Sequence, residues 1–222
     1  MLNNLRIGKR LQLGFGLLLA LLCAMAGVSA WQMARLDEST LFYVDNIVPS
    51  LQVQHEIALA LSEMRRYENR HILLPSEASK DSAERKIAEL RQSVAQNLDK
   101  YSKDLISDEV DKRALEQVRQ ALVTYYSAWD EVRSASRKTV GDLNQVEIAA
   151  TLLTGESARL YELAHKAVTQ WWDYNVKLSR DQADNARATY VSAKIWLTTI
   201  VAAALALGIA AMVSLTRSIV AP

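Results

Sequence analysis

The residues best suited to chemistry lie close together. Arg65 and Arg66 are adjacent, and Arg70 follows one turn further along a helical pattern. A guanidinium is a planar fork of donors that matches a carboxylate two bonds at a time. Arg65 falls on an apolar stripe, where a buried charge needs a partner. Arg66 and Arg70, four apart, share a helix face. Two chemistries fit. Glu63, Glu68 or a carboxylate on another helix could neutralise the arginines, or the arginines could grip the carboxylates of a small ligand.

Little else in the chain is equipped for reaction. There is no phosphate-cradling glycine loop, no nucleophile elbow and no paired-histidine motif. His55, His71 and His165 are far apart and lack metal-ligand spacing, so neither a metal nor a cofactor is expected. The single cysteine, Cys23, lies in an apolar run and can form no intrachain disulfide. Tyr125-Tyr126 and Trp171-Trp172 are at helical spacing and read as core or subunit contact rather than an aromatic cage. What remains is binding, and the chain is expected not to be an enzyme.

Two charge-free runs bracket these residues. Ile195 to Thr216 is bounded by Lys194 and Arg217, and Leu11 to Ala34 by Arg10 and Arg35. Each is long enough to cross a bilayer core as a helix. Arg6, Lys9, Arg10 and Arg217 flank their outer ends, while all 25 acidic residues lie between them. The positive-inside rule puts both ends in the cytoplasm and the middle outside. That middle has a net charge of −3 and offers no nucleic-acid footprint. Val28-Ser29-Ala30 resembles a signal-peptide cleavage site, but the apolar run is long and helix-forming sequence continues past it. The domain reading is therefore a cytoplasmic lead (1–10), a first span (11–34), an external domain (35–194), a second span (195–216) and a short cytoplasmic exit (217–222).

The external domain reads as four amphipathic helices. Gly and Pro are scarce, and Ala, Leu, Glu, Gln, Lys and Arg dominate. In the first helix Val44, Ile47, Leu51, Ala58, Leu61, Arg65 and Ile72 form a stripe, with Pro49 expected to kink it. The second carries Ile87, Leu90, Val94, Leu98, Tyr101 and Leu105. The third, restarted by Ser107-Asp108-Glu109, carries Leu115, Val118, Leu122, Tyr125, Trp129 and Val132. The fourth starts near Asp142 or Asn144 and runs into the second span, with Gly155 its soft point. Short turns make this an all-α, antiparallel up-down-up-down four-helix bundle flanked by two transmembrane helices. The first helix would be roughly 65 Å long and the fourth roughly 80 Å. Either the fourth begins later, near Leu152 to Glu156, or its connection overhangs the far end.

Particular motifs carry a resemblance. The lead Leu5-Arg6-Ile7-Gly8-Lys9-Arg10-Leu11, followed by Gly14-Phe15-Gly16, is similar to the opening of a bacterial methyl-accepting chemotaxis protein with a periplasmic four-helix-bundle sensor domain. So are the Gly141-Asp142 turn leading to Ala149, Leu152-Leu153 and Thr154-Gly155-Glu156, and the exit Thr216-Arg217-Ser218-Ile219 with Pro222, which resembles the start of a HAMP linker. The resemblance implies a homodimeric chemoreceptor of the inner membrane, passing a signal through HAMP to a chemotaxis kinase and adaptor on a cytoplasmic part beyond this sequence. Sensor kinases and diguanylate cyclases share this front end, and a membrane bundle that binds nothing is a third reading.

Depth along the bundle suggests which residues face the arginines. Arg65 lies roughly 14 Å below the far end. That depth falls near Trp129 and Arg133 on the third helix and near Thr151 and Thr154 on the fourth, or nearer Tyr161 if that helix starts late. In aspartate-type receptors of the resembled family, arginines at this level from both subunits hold the ligand's carboxylates, beside a threonine near the start of the fourth helix. The candidate ligand ring is therefore Arg65, Arg66, Arg70, Trp129, Arg133 and Thr154. A small organic acid is the first expectation, an amino acid the next.

Overall fold

A computed structural model describes residues 7–220. Leu5 and Arg6 of the basic lead, and Ala221 and Pro222 of the proposed HAMP start, lie outside the described residues. Six α-helices follow in order: α1 (Ile7–Phe42), α2 (Val48–Leu73), α3 (Glu77–Asp104), α4 (Glu109–Lys138), α5 (Gln145–Thr154) and α6 (Glu156–Val220). A π-helical turn, Tyr43–Ile47, joins α1 to α2. There are no strands among the described residues, and the fold is all-α.

Each boundary has a local cause. Pro49 sits in the first turn of α2, just behind the π-helical turn. Proline lacks the N–H that would close the turn behind it, so a wider turn stands where the sequence predicts a kink. Leu74 is extended before Pro75, and Ser76 then caps α3 in a reciprocal box with Ser79, each bond 3.3 Å. Asp108 caps α4, accepting from the N–H groups of Val110 (2.8 Å) and Asp111 (2.9 Å).

The chain forms two compact units, Phe42–Arg180 and the segments on either side of it. In the first, α2, α3, α4 and the opening stretch of α6 make the four-helix bundle. Its core holds Ile57 and Leu61, Val94 and Leu98, Leu122 and Tyr125, and Ala164 and Trp171. On α3 and α4 the apolar spacing read from the sequence is the buried face. On α2 the expected stripe holds in part, with Leu61 and Ile72 buried; Val53, Ile57 and Met64 complete the buried face, and Val44, in the π-helical turn, is exposed.

The fourth helix divides. Gly155 breaks it, so α5 is a separate ten-residue helix and α6 begins at Glu156. A Cβ on Gly155 would lie 2.8 Å from the Thr151 carbonyl oxygen, closer than side chains tolerate. The late start that the length comparison allowed is the one adopted.

In the second unit, α1 and the later part of α6 are apolar on the outside; Phe15, Leu19, Ile195 and Ile209 are all exposed. Both helices are long and apolar enough to cross a membrane, by length and composition. Between them lies an apolar cleft of about 480 Å³, lined by residues such as Leu22, Met25, Ala204 and Gly208.

Candidate functional site

Among the described residues, three hydrogen-bonded polar nodes interrupt the bundle core. The first is built around Arg65. Its guanidinium donates to Glu68 (3.3 Å), to the Ser157 hydroxyl (3.0 Å) and to the Leu153 carbonyl (2.8 Å). Leu153 is in the last turn of α5 and Ser157 in the first turn of α6. The arginine therefore clasps both sides of the Gly155 break, where the C-terminal carbonyls of α5 lack helical partners and favour a cation. Tyr125 donates to the same Glu68 oxygen at 2.5 Å, and the Tyr161 ring lies 5.4 Å from the guanidinium carbon. Burial pushes the Glu68 carboxyl above its ordinary range, against the pull of Tyr125 and Arg65. Burial, then the Glu68 charge, pushes the Tyr125 phenol up.

The second node closes the far end, where α2 ends, α3 begins and α4 ends. His71 is fully buried, with Nδ1 2.8 Å from the Ser136 hydroxyl and Nε2 3.0 Å from Glu84. Lys80, also fully buried, donates to the His71 carbonyl (2.6 Å) and the Ser136 hydroxyl (3.0 Å). Outside them, Arg137 holds three α3 carboxylates: Glu77 (2.6 Å), Asp81 (2.6 Å) and Glu84 (2.8 Å). Burial raises the Glu84 carboxyl, but the bonds and charge of Arg137, with His71, outweigh it and hold it below the usual value.

The third node lies at the α3–α4 turn. Asp111 is fully buried and accepts from the Tyr101 hydroxyl (2.9 Å), the Trp171 indole (2.8 Å), the Asn175 amide (3.2 Å) and the Ser107 N–H (3.0 Å). Four donors take the place of a counter-ion. Nearby, Tyr174 donates to the Asp108 cap, so α6 is held to the start of α4 from two sides.

The residues expected to line a ligand ring are dispersed among these environments. Arg65 turns inward as described. Arg66 is 76% exposed and pairs only with Glu63, at 3.3 Å, among the described residues. Arg70 is exposed on the same face of α2. Trp129 is buried, its ring edge-on to His71 at 5.2 Å. Arg133 is half-exposed on α4, bridging Asp130 (3.7 Å) and Glu84 (4.0 Å). Thr154 is exposed, its hydroxyl donating to the Ala150 carbonyl at 2.7 Å. Among the described residues, no contact gathers the six into one pocket.

The sequence offered Glu63 and Glu68 as partners for the arginines, and they pair with Arg66 and Arg65; it passed over the burial of Glu68 and the buried roles of His71, Lys80 and Asp111. Glu68 and His71 continue the spacing of Ile57, Leu61 and Met64, so a stripe started at Val53 finds them. Lys80 and Asp111 sit one turn into their helices, where a polar residue ordinarily faces water, and no signal of that kind marks them as buried.

Two comparisons bear on what this bundle is. Residues 4–190 match the family described as the four-helix-bundle sensory module for signal transduction, found in methyl-accepting chemoreceptors. The chain belongs to that family. It is also 23% identical, over 99% of its length, to YvaQ of Bacillus subtilis (strain 168), a protein assigned as a sensory transducer. The chain spans 38% of that relative's length. The three nodes are thus the polar interior of a sensory module, and its two long apolar helices are consistent with a place in the membrane.

Proposed function

We propose that this chain is the sensing front of a homodimeric chemoreceptor in the bacterial inner membrane. The bundle, residues 35–194 in the sequence reading, lies in the periplasm and binds a small carboxylate, an organic acid or an amino acid. The two apolar runs cross the membrane, and the residues from Arg217 onward open a HAMP linker. A chemotaxis kinase and its adaptor are the downstream partners, acting on a cytoplasmic part.

One observation carries the reading. The arginine cluster is wired to the helix that would transmit the signal. Arg66 and Arg70 present their forks on the exposed face of α2, where a partner copy could complete a site, with Arg133 and Thr154 on neighbouring elements. Arg65, their neighbour, bonds at once to the end of α5 and the start of α6. A ligand that draws on α2 therefore pulls on the first turn of α6. That helix continues without interruption to Val220. A shift of one to two ångströms suffices where a packed interface has two states.

The test is a thermal-shift series on the full chain in detergent against organic acids, amino acids and aromatics. A carboxylate at a hundredfold excess over its dissociation constant should stabilise the chain by about 2.7 kcal/mol. The gain should vanish in Arg66→Ala while helicity is unchanged. No stabilising carboxylate in the panel, or a gain that survives in both Arg66→Ala and Arg70→Ala, overturns the proposed ligand site.

A further inference from the structure

We propose that the far end of the bundle is a proton-sensing site, in which protonation of His71 unseats the buried ammonium of Lys80. This goes beyond carboxylate binding and does not depend on it.

The hydrogen-bond directions are set by the groups present. Glu84, salt-bridged to Arg137, is an acceptor, so His71 Nε2 carries the proton of their 3.0 Å bond. Nδ1 is then a bare acceptor and takes the Ser136 hydroxyl proton at 2.8 Å. The Ser136 oxygen in turn accepts from Lys80 at 3.0 Å. The chain thus runs Lys80 to Ser136 to His71 to Glu84, one donor per bond. A second proton on His71 reverses the Nδ1 bond. Ser136 then has two cationic donors aimed at one oxygen and must turn its own proton elsewhere. Two positive charges meet across a single hydroxyl, away from water, where their repulsion is poorly screened.

Among the described residues, Glu84 opposes this, since its carboxylate on Nε2 favours the imidazolium, but it is shared with Arg137 and is outweighed by burial and the Lys80 charge. On α3, Glu77 and Asp81 are already taken by Arg137, and Glu84 by Arg137 and His71. On α4, Arg133 and Arg137 add positive charge. On α2 itself, Glu68 is committed to Arg65 and Tyr125, and Arg70 is a cation. Glu147 of α5 makes no ion pair with the node among the described residues, and Glu156 and Arg159 of α6 bond to each other. Burial and the Lys80 charge both hold the imidazole below its ordinary value, consistent with the geometry. The seat most easily vacated is that of Lys80, in the first turn of α3, whose long side chain can swing to water. Losing it frees the His71 carbonyl at the end of α2 and loosens the α2–α3 turn.

The experiment follows the histidine signals of the full chain in detergent by NMR from pH 8 to pH 5. His71 is assigned by its loss in His71→Gln, whose amide can replace both imidazole bonds. Its midpoint should lie below the ordinary imidazole value of about 6.5. In Lys80→Met it should rise by about one pH unit. Amide exchange at the α2–α3 turn and the first turn of α3 should quicken on acidification in the wild type and not in His71→Gln. If that variant does not fold, the Lys80→Met shift decides alone. A midpoint unmoved by Lys80→Met, or exchange that quickens equally without His71, overturns the proposal.

Discussion

At the scale of single residues, this bundle keeps polar groups in its core at a cost. Asp111 is the favourable case, with four donors arranged around one carboxylate, so the desolvation of the charge is offset by charge-assisted bonds. Gln54 is the opposite case. It is fully buried on α2, and neither its amide oxygen nor its nitrogen has a hydrogen-bond partner among the described residues. An amide held dry and unbonded costs about 1–3 kcal/mol. Gln54→Leu is close in volume and removes that cost. It is expected to stabilise the chain by about 1–2 kcal/mol in chemical denaturation, within the same range. A loss of stability of that size would show that the amide has partners in the folded protein.

At the scale of elements, the division of the fourth helix matters most. Without the Gly155 break, the Leu153 carbonyl would be bonded within a continuous helix, and Arg65 would have no acceptor there. The break therefore creates the tie between α2 and α5, beside the Ser157 bond that joins α2 to α6. Gly155→Ala places a methyl 2.8 Å from the Thr151 carbonyl oxygen, a backbone atom that cannot swing aside. Either α5 moves away or the turn is strained, at an expected cost of about 1–3 kcal/mol. The melting midpoint should fall, and circular dichroism should show little loss of helix. An unchanged midpoint would mean that α5 is free to shift, and that Arg65 does not hold it.

At the scale of the whole molecule, the charge arrangement predicts how stability follows pH. Glu84 has a folded pKa below its ordinary 4.5, so its stabilising contribution is present above 4.5 and is lost as pH falls through the lower folded value. His71 is depressed too, so stability falls as pH drops below about 6.5. Glu68 is raised, and its contribution works the other way, being present below 4.5 and lost as pH rises through its higher folded value. The windows of Glu84 and Glu68 lie on opposite sides of 4.5. Arg137→Met removes the cation that depresses Glu84. Below pH 4.5 the variant should lose stability less steeply than the wild type, measured as melting midpoint against pH. Parallel curves would mean that solvent already screens the pair, since Arg137 is about one-third exposed.

Much of this was available from residue order. The all-α class, the four-helix plan, the two apolar runs and the buried faces of α3 and α4 follow from three-four spacing, capping residues and scarce Gly and Pro. Those are local properties, and a helix reports them within a few turns of its own sequence. The membership in a sensory family was legible in the same way, from motifs at the two ends and from the stretch between Gly141 and Glu156. Tertiary structure decided the rest. It widened the buried face of α2 beyond the stripe read from the sequence, so that Glu68 and His71 face inward. It bonded Arg65 to the end of α5 and the start of α6. It turned Lys80 and Asp111 into a core where sequence position alone would leave them in water. Each of these outcomes depends on which donors and acceptors other helices bring to the same depth. Periodicity along one helix carries no record of them, because the partners on other helices lie between 9 and 92 residues away.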